Sequence, residues 1–275
     1  FTLVTHLGER EVPKGNYRAS YCTMSTNTAQ WNITYDGDKM KVVEGEGGID
    51  CLPDGAAYLR LDQFYGDAAD EMAALIEKYN ANSCTSLILD LRGNGGGYVD
   101  VMCDMSDIFT GQLPKRNKYA MQAIYKDGSR DTFEVTNKYS AGKELPSGTK
   151  VSVLADNGTA SASEALIGVL VDNGVIDYGD IYLSDFSDAY LKATGTEDKN
   201  CRSYGKGIMQ TTFMHPFTGE ALKLTTARIY WPKGETCIHE IGLTAAQGCN
   251  TVKTDWDVTY GDTQLAAAVQ AIYGN

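Results

Sequence analysis

The chain has 275 residues, with 36 Asp and Glu against 24 Lys and Arg, a net charge of −12 at neutral pH, and 43% hydrophobic and 22% charged residues. That balance is one of a globular protein with a sizeable core, and it leaves no basic run for nucleic acid or an anionic membrane surface. No apolar stretch approaches the roughly 20 residues that span a bilayer, so the sequence leaves a removed anchor as the only route to a membrane.

Residues 1 to 57 read as strands and turns. Trp31-Asn-Ile-Thr-Tyr35 and Lys39-Met-Lys-Val-Val43 flank Asp36-Gly37-Asp38, where Asp-Gly supplies the positive φ of a tight hairpin turn. Ala57-Tyr-Leu-Arg-Leu61 is a further strand. From Asp67 to Tyr79 the apolar positions 68, 72, 75, 76 and 79 make one helical face. Ser86 to Leu91 is a continuous apolar run, the pattern of a strand buried on both sides. A glycine cluster leads into a helix from Tyr98 to Phe109. Val151 to Leu154 is the next strand and Ser161 to Asp172 the next helix, with Gly174 placed to end it. This alternation predicts a layered α/β core. Between Asp172 and Lys199 seven acids accompany two lysines, and about 175 to 203 reads as an acidic surface insertion or a lid, without the spacing of a calcium loop. Thr211 to Met214 and Ala221 to Tyr230 read as strands around the turn His215 to Gly219, and Thr263 to Tyr273 as a closing helix.

The seven cysteines show no Cys-x-x-Cys spacing, which removes the simplest zinc and dithiol readings. Cys84 and Cys103 lie in apolar runs and read as buried thiols. Cys22, Cys51, Cys201, Cys237 and Cys249 sit in turn-rich surroundings where disulfides are plausible in an oxidising compartment, with Cys237 and Cys249 the favoured pair.

Three segments offer chemistry. Ser161-Ala-Ser-Glu164 has the form of a capping box, and the same geometry puts a hydroxyl where backbone N–H groups and the helix dipole favour negative charge. A serine needs a proton acceptor to become a nucleophile. His6, His215 and His239 have no neighbouring motif that marks them as a base, whereas Lys206, between Gly205 and Gly207, can be held close to packed backbone. Asp90-Leu-Arg-Gly-Asn-Gly-Gly-Gly97 follows a buried strand but has neither dinucleotide-loop nor P-loop spacing, which leaves an amide-rich turn suited to an oxyanion.

Leu89-Asp-Leu-Arg-Gly-Asn-Gly-Gly-Gly97, Gly158-Thr-Ala-Ser-Ala-Ser-Glu164 and Tyr204-Gly-Lys-Gly-Ile-Met-Gln210, in this order, resemble the signature blocks of the C-terminal processing (tail-specific) serine peptidases. The likeness extends from about Tyr58 to Leu243. It implies a sheet-and-helix peptidase core of the crotonase-like spiral type at 58–275, preceded by a β-rich segment at 1–57 that follows a missing or absent PDZ domain. It implies Ser161 as nucleophile, Lys206 as general base, Gln210 as the residue that orients the lysine, and an oxyanion hole from the N–H of Ala162 with that of Gly96 or its neighbour. Asp172 falls where some members have an auxiliary acid. No metal or organic cofactor is implied, the partner is a protein or peptide substrate, and the location is extracytoplasmic. The Ser161 to Lys206 spacing exceeds the family's usual one, with the acidic stretch accounting for the excess. A non-catalytic binding protein on the same scaffold, or an acyl-CoA enzyme on a related spiral fold, are the competing readings.

Overall fold

The computed structural model describes residues 2–5, 8–11, 20–140, 142–195, 201–254 and 261–273. At the N-terminus β1 (Thr2–Thr5) and β2 (Gly8–Glu11) form an antiparallel pair. Then come β3 (Cys22–Ser25), β4 (Ala29–Asp36), β5 (Lys39–Glu46), β6 (Ala56–Leu61), α1 (Ala68–Ala81), β7 (Ser86–Asp90) and α2 (Val99–Thr110). They are followed by β8 (Tyr119–Tyr125), β9 (Arg130–Glu134), β10 (Lys150–Ala155), α3 (Ala162–Asp172), β11 (Ile181–Asp185) and α4 (Ser187–Thr194). The chain continues through β12 (Ile208–Met214), β13 (Ala221–Tyr230), β14 (Asn250–Lys253) and α5 (Thr263–Tyr273).

Eight strands form the main sheet in the order β14-β11-β10-β7-β6-β3-β4-β5. Neighbours from β14 to β6 are parallel, and those from β6 to β5 antiparallel. All five residues of β7 are buried, as a central parallel strand with both faces covered requires. Its alternation assigns the covers: Leu87 and Leu89 join the core under α1, α2 and α3, whereas Ile88 packs with Leu265, Ala268 and Val269 of α5. A second, antiparallel sheet, β12-β13-β8-β9, covers the far side of α2 and α3. Trp231, just past β13, lies against Gly168 of α3 so closely that a Cβ there would stand 2.4 Å from the indole ring. Gly168→Ala is therefore expected to lower the melting temperature through overpacking worth about 1–3 kcal/mol, measurable by calorimetry.

The hairpin β4/β5 turns at Gly37 (φ +61°) in the expected register, with Asp36 opposite Lys39. Of the stretch expected as an acidic insertion at about 175–203, residues 196–200 lie outside the described residues, and the part before them holds regular elements. Ile181–Asp185 is a strand between β10 and β14, its first four residues buried, and α4 follows it. The acids flanking this short apolar run, Asp180 and Asp185, masked it in the sequence. Cys237 and Cys249 are not joined to each other, and Cys237 Sγ faces the Gly207 carbonyl. Cys22 and Cys249 are buried thiols instead, like Cys84 and Cys103, and Cys22 Sγ donates to the Ala68 carbonyl on α1.

Candidate active site

Because β7 and β10 are adjacent and parallel, the loops leaving their carboxyl ends meet at one edge of the sheet. They are stitched together by side chains. Asn94, fully buried, donates from Nδ2 to the Leu61 carbonyl, and its own carbonyl accepts the Ala160 N–H (3.0 Å) and Ser163 Oγ (2.9 Å). Asp156 Oδ1 accepts the N–H groups of Gly93, Gly158 and Thr159, and Thr159 Oγ1 donates to the Leu91 carbonyl. At Gly96 (φ +95°) a Cβ would lie 2.8 Å from the Ala160 oxygen, the Ala162 nitrogen and Ser161 Cβ. Gly96→Ala is accordingly expected to displace the Ser161 turn.

Ser161 sits half-buried at the mouth of α3 with φ 60° and ψ −116°, a backbone conformation that costs a non-glycine residue about 1–3 kcal/mol and persists only where the surroundings impose it. Glu164 supplies much of that imposition. Oε2 of this buried carboxylate accepts the Ser161 N–H (2.9 Å) and the Lys206 N–H (2.9 Å), while Oε1 accepts Ser203 Oγ (2.5 Å) and the Gly205 N–H (2.7 Å). Burial pushes the Glu164 pKa up, against the lowering effect of these four hydrogen bonds. Ser203 Oγ in turn accepts the Leu243 N–H, and the Tyr204 N–H donates to the Thr159 carbonyl. One carboxylate thus ties the serine turn to the lysine segment. In the sequence Glu164 read only as the far end of a capping box, and its distance along the chain from Lys206 hid the second half of its work.

The Gly205-Lys206-Gly207 stretch is held against residues 238–242. A Cβ at Gly205 (φ +81°) would lie 2.9 Å from the Gly242 nitrogen, and one at Gly207 2.7 Å from the His239 nitrogen. Gly207→Ala should therefore push Lys206 out of place and cut activity with little change in secondary structure, checked by initial rates beside circular dichroism.

Ser161, Lys206 and Gln210 line one cavity of about 330 Å³. Met102, Met121, Ala165, Met209 and Ile229 give it apolar walls. Lys206 and Gln210 also line an adjoining, more open groove of about 1020 Å³. Lys206 is half-buried, with no ion-pair partner among the described residues. Gln210 is exposed on β12, just past a bulge at Met209. No hydrogen bond joins Ser161 Oγ, the Lys206 amine and the Gln210 amide in this state among the described residues.

The Ala162 N–H is the first helical amide of α3 and has no acceptor among the described residues, as an oxyanion donor requires. Of the glycine amides expected to complete an oxyanion hole, that of Gly96 donates to Asn94 Oδ1 (2.9 Å) in this structure. The neighbouring amides of Gly95 and Gly97 carry no such bond among the described residues, and both glycines line the cavity. Asp172 does not line it. Its carboxylate accepts the Lys233 N–H (2.8 Å) at the far end of α3. His215 lies in an exposed turn against Thr218, His239 lines the outer groove, and His6 is outside the described residues.

A family model described as Peptidase family S41 matches residues 55–178, a range that holds both the glycine loop and Ser161. Among curated proteins, a carboxyl-terminal-processing protease of Synechocystis sp. is 28% identical over 186 residues, 68% of this chain and 36% of the relative. A carboxy-terminal-processing protease of Bartonella bacilliformis is 30% identical over 223 residues, 78% of this chain and 44% of the relative. The chain thus spans less than half the length of these relatives. Among solved structures, a photosystem II D1 C-terminal processing protease superposes with TM-score 0.54 at 20% identity, covering 89% of this chain and 60% of that one. A protein from Bacteroides fragilis, described as an S41 protease, superposes with TM-score 0.57 at 15% identity, covering 93% and 67%. At these identities the structural likeness establishes a shared mixed α/β fold.

Proposed function

Since the chain belongs to peptidase family S41, we propose that it is a serine endopeptidase that cleaves unfolded or C-terminal regions of proteins through Ser161 and Lys206. The observation that carries this reading is the single cavity holding both side chains, with Glu164 fastening both backbones to one carboxylate. In the reaction Lys206, unprotonated, takes the Ser161 proton as Oγ attacks a peptide carbonyl. The tetrahedral oxyanion is received by the Ala162 N–H together with the amide of Gly95 or Gly97. The protonated lysine then serves the leaving amine, and a water deprotonated by Lys206 releases the acyl-enzyme. Gln210 holds the lysine amine once substrate closes the cavity, since catalytic hydrogen bonds often tighten only in the complex. The apolar walls admit an uncharged side chain next to the scissile bond. The crotonase-like spiral class and a location outside the cytoplasm belong to the same reading, supported by the parallel half of the main sheet with helices on both faces and by the Tyr-, Asn-, Thr- and Gly-rich composition.

Reaction with a fluorophosphonate tests the nucleophile. Peptide mass mapping should place the adduct on Ser161, with none on Ser161→Ala. An adduct on another serine with Ser161 unmodified contradicts the reading.

A further inference from the structure

The outward side of the small sheet holds a cationic hollow that the proposed chemistry leaves unused. Strand register sets Ile208 of β12, Arg228 of β13, Ile124 of β8 and Arg130 of β9 in one row, so these side chains share a face. A hollow of about 400 Å³ on this face is lined by Ile124, Lys126, Ile208, Arg228, Tyr230 and His239.

The chain carries 36 acids against 24 basic residues, so an arginine without an acid is unusual in it. Arg60, Arg92 and Arg116 pair with carboxylates. Arg202 donates to the carbonyls of Glu240 and Ile241, and Arg130 to Gln122 Oε1. Arg228 has no partner among the described residues, and neither has Lys126. The nearby acids are engaged elsewhere: Asp127 takes the Ser129 N–H and hydroxyl, and Asp131 the Tyr125 hydroxyl. Glu240 stands 3.8 Å from His239 Nε2, on the groove side. His239 Nδ1 is buried without a partner.

The hollow adjoins the site. Ile208 lines it, the Ser161 cavity and the open groove, and His239 lines the hollow and the groove. Lys206 is two residues before Ile208, whose neighbour across the ladder is Arg228. At about 3.3 Å per residue and about 4.8 Å between strands, Arg228 is about three extended residues away from Lys206.

We propose that this hollow is a carboxylate subsite of the peptide substrate, in which Arg228 grips the two oxygens side by side and Lys126 adds a second charge. The proposal rests on the peptidase reading. It makes the enzyme favour scissile bonds a few residues from a carboxylate, the terminal one or that of an Asp or Glu side chain.

Fluorescence anisotropy separates the two claims, because it needs no turnover. A labelled unstructured decapeptide is titrated as free acid, as amide, and as amide with Asp in the last position, onto Ser161→Ala and onto Ser161→Ala carrying Lys126→Gln and Arg228→Gln. Amidation should weaken binding to the first protein about tenfold, and the charge-deleted protein should bind acid and amide alike. Recovery of binding by the Asp peptide supports a side-chain carboxylate as sufficient, and no recovery supports the terminal one. Equal affinity of acid and amide for Ser161→Ala, or an undiminished preference for the acid in the charge-deleted protein, overturns the subsite. Carboxylate-dependent binding without cleavage by the wild type would instead remove the peptidase reading and leave the subsite.

Discussion

Glu164→Gln is expected to lower kcat about a hundredfold while KM moves little. All four groups that meet this carboxylate are donors: the amides of Ser161, Gly205 and Lys206 and the hydroxyl of Ser203. A carboxamide offers one acceptor oxygen and turns its NH₂ toward the other pair. Two donors are then left unmet at a buried position, at about 1–3 kcal/mol each. For a chain of this size a loss near 3 kcal/mol corresponds to a melting temperature lower by roughly 10 °C. The activity loss arises separately, because the serine turn and the lysine segment no longer share an anchor. Rates measured well below the variant's melting temperature distinguish the two effects. Wild-type kcat in a destabilised protein would confine Glu164 to a purely structural role.

The second large effect belongs to Arg92→Ala. Arg92 follows β7 and lays its guanidinium against two carboxylates. Nη2 lies 2.6 Å from Asp90 Oδ2, with Nε 3.0 Å from Oδ1, while Nη1 and Nη2 lie 2.8 and 2.7 Å from the oxygens of Asp262, just ahead of α5. Asp90 is fully buried, so removing the arginine leaves it the Tyr58 hydroxyl at 2.5 Å, the Arg92 N–H and a long contact to Arg60. Breaking a buried pair in this way costs about 3–5 kcal/mol, and lysine, which cannot reproduce the fork, should restore only part of it.

The same pair gives a pH signature. Burial works to raise the Asp262 pKa, but the hydrogen bonds and charge of Arg92 outweigh it and hold the carboxyl below its ordinary value. A depressed carboxylate contributes stability above its unfolded pKa, about 3.9, and that contribution is lost as the pH falls through the folded value. The stability gap between wild type and Arg92→Ala should therefore narrow below about pH 4 in denaturant titrations. A gap that widens toward acid contradicts this account.

The elements legible in the sequence are those with strong local signals. The apolar face of α1, the uninterrupted run of β7 and the Asp-Gly turn between β4 and β5 each need only their own residues to be read. β11 was not legible, because its four buried residues, Ile181 to Ser184, lie between acids and no local period distinguishes a short parallel strand from a loop. β8 and β9 were missed for a similar reason: β8 is buried against α2 and α3 and pairs with β13, all distant in sequence, and β9 is a mostly exposed edge strand that pairs only with β8.

At the site, Ser161, Lys206 and Gln210 could be singled out by motif, and the structure gathers them on one cavity. Whether the Gly96 N–H is free could not be judged from sequence, since it depends on where Asn94 turns its amide. Glu164's hold on Lys206 is a contact across a long loop, with no local sign beyond a capping spacing. That Arg228 lacks a partner among the described residues is visible only once its neighbours on three strands are known.

Degradation of casein by the wild type, Ser161→Ala and Lys206→Ala, followed by fragment mass spectrometry, tests the central claim most directly. The account predicts internal cleavage by the wild type and a loss of at least about a hundredfold in each variant, with melting temperatures close to that of the wild type. Equal degradation by all three proteins would contradict it.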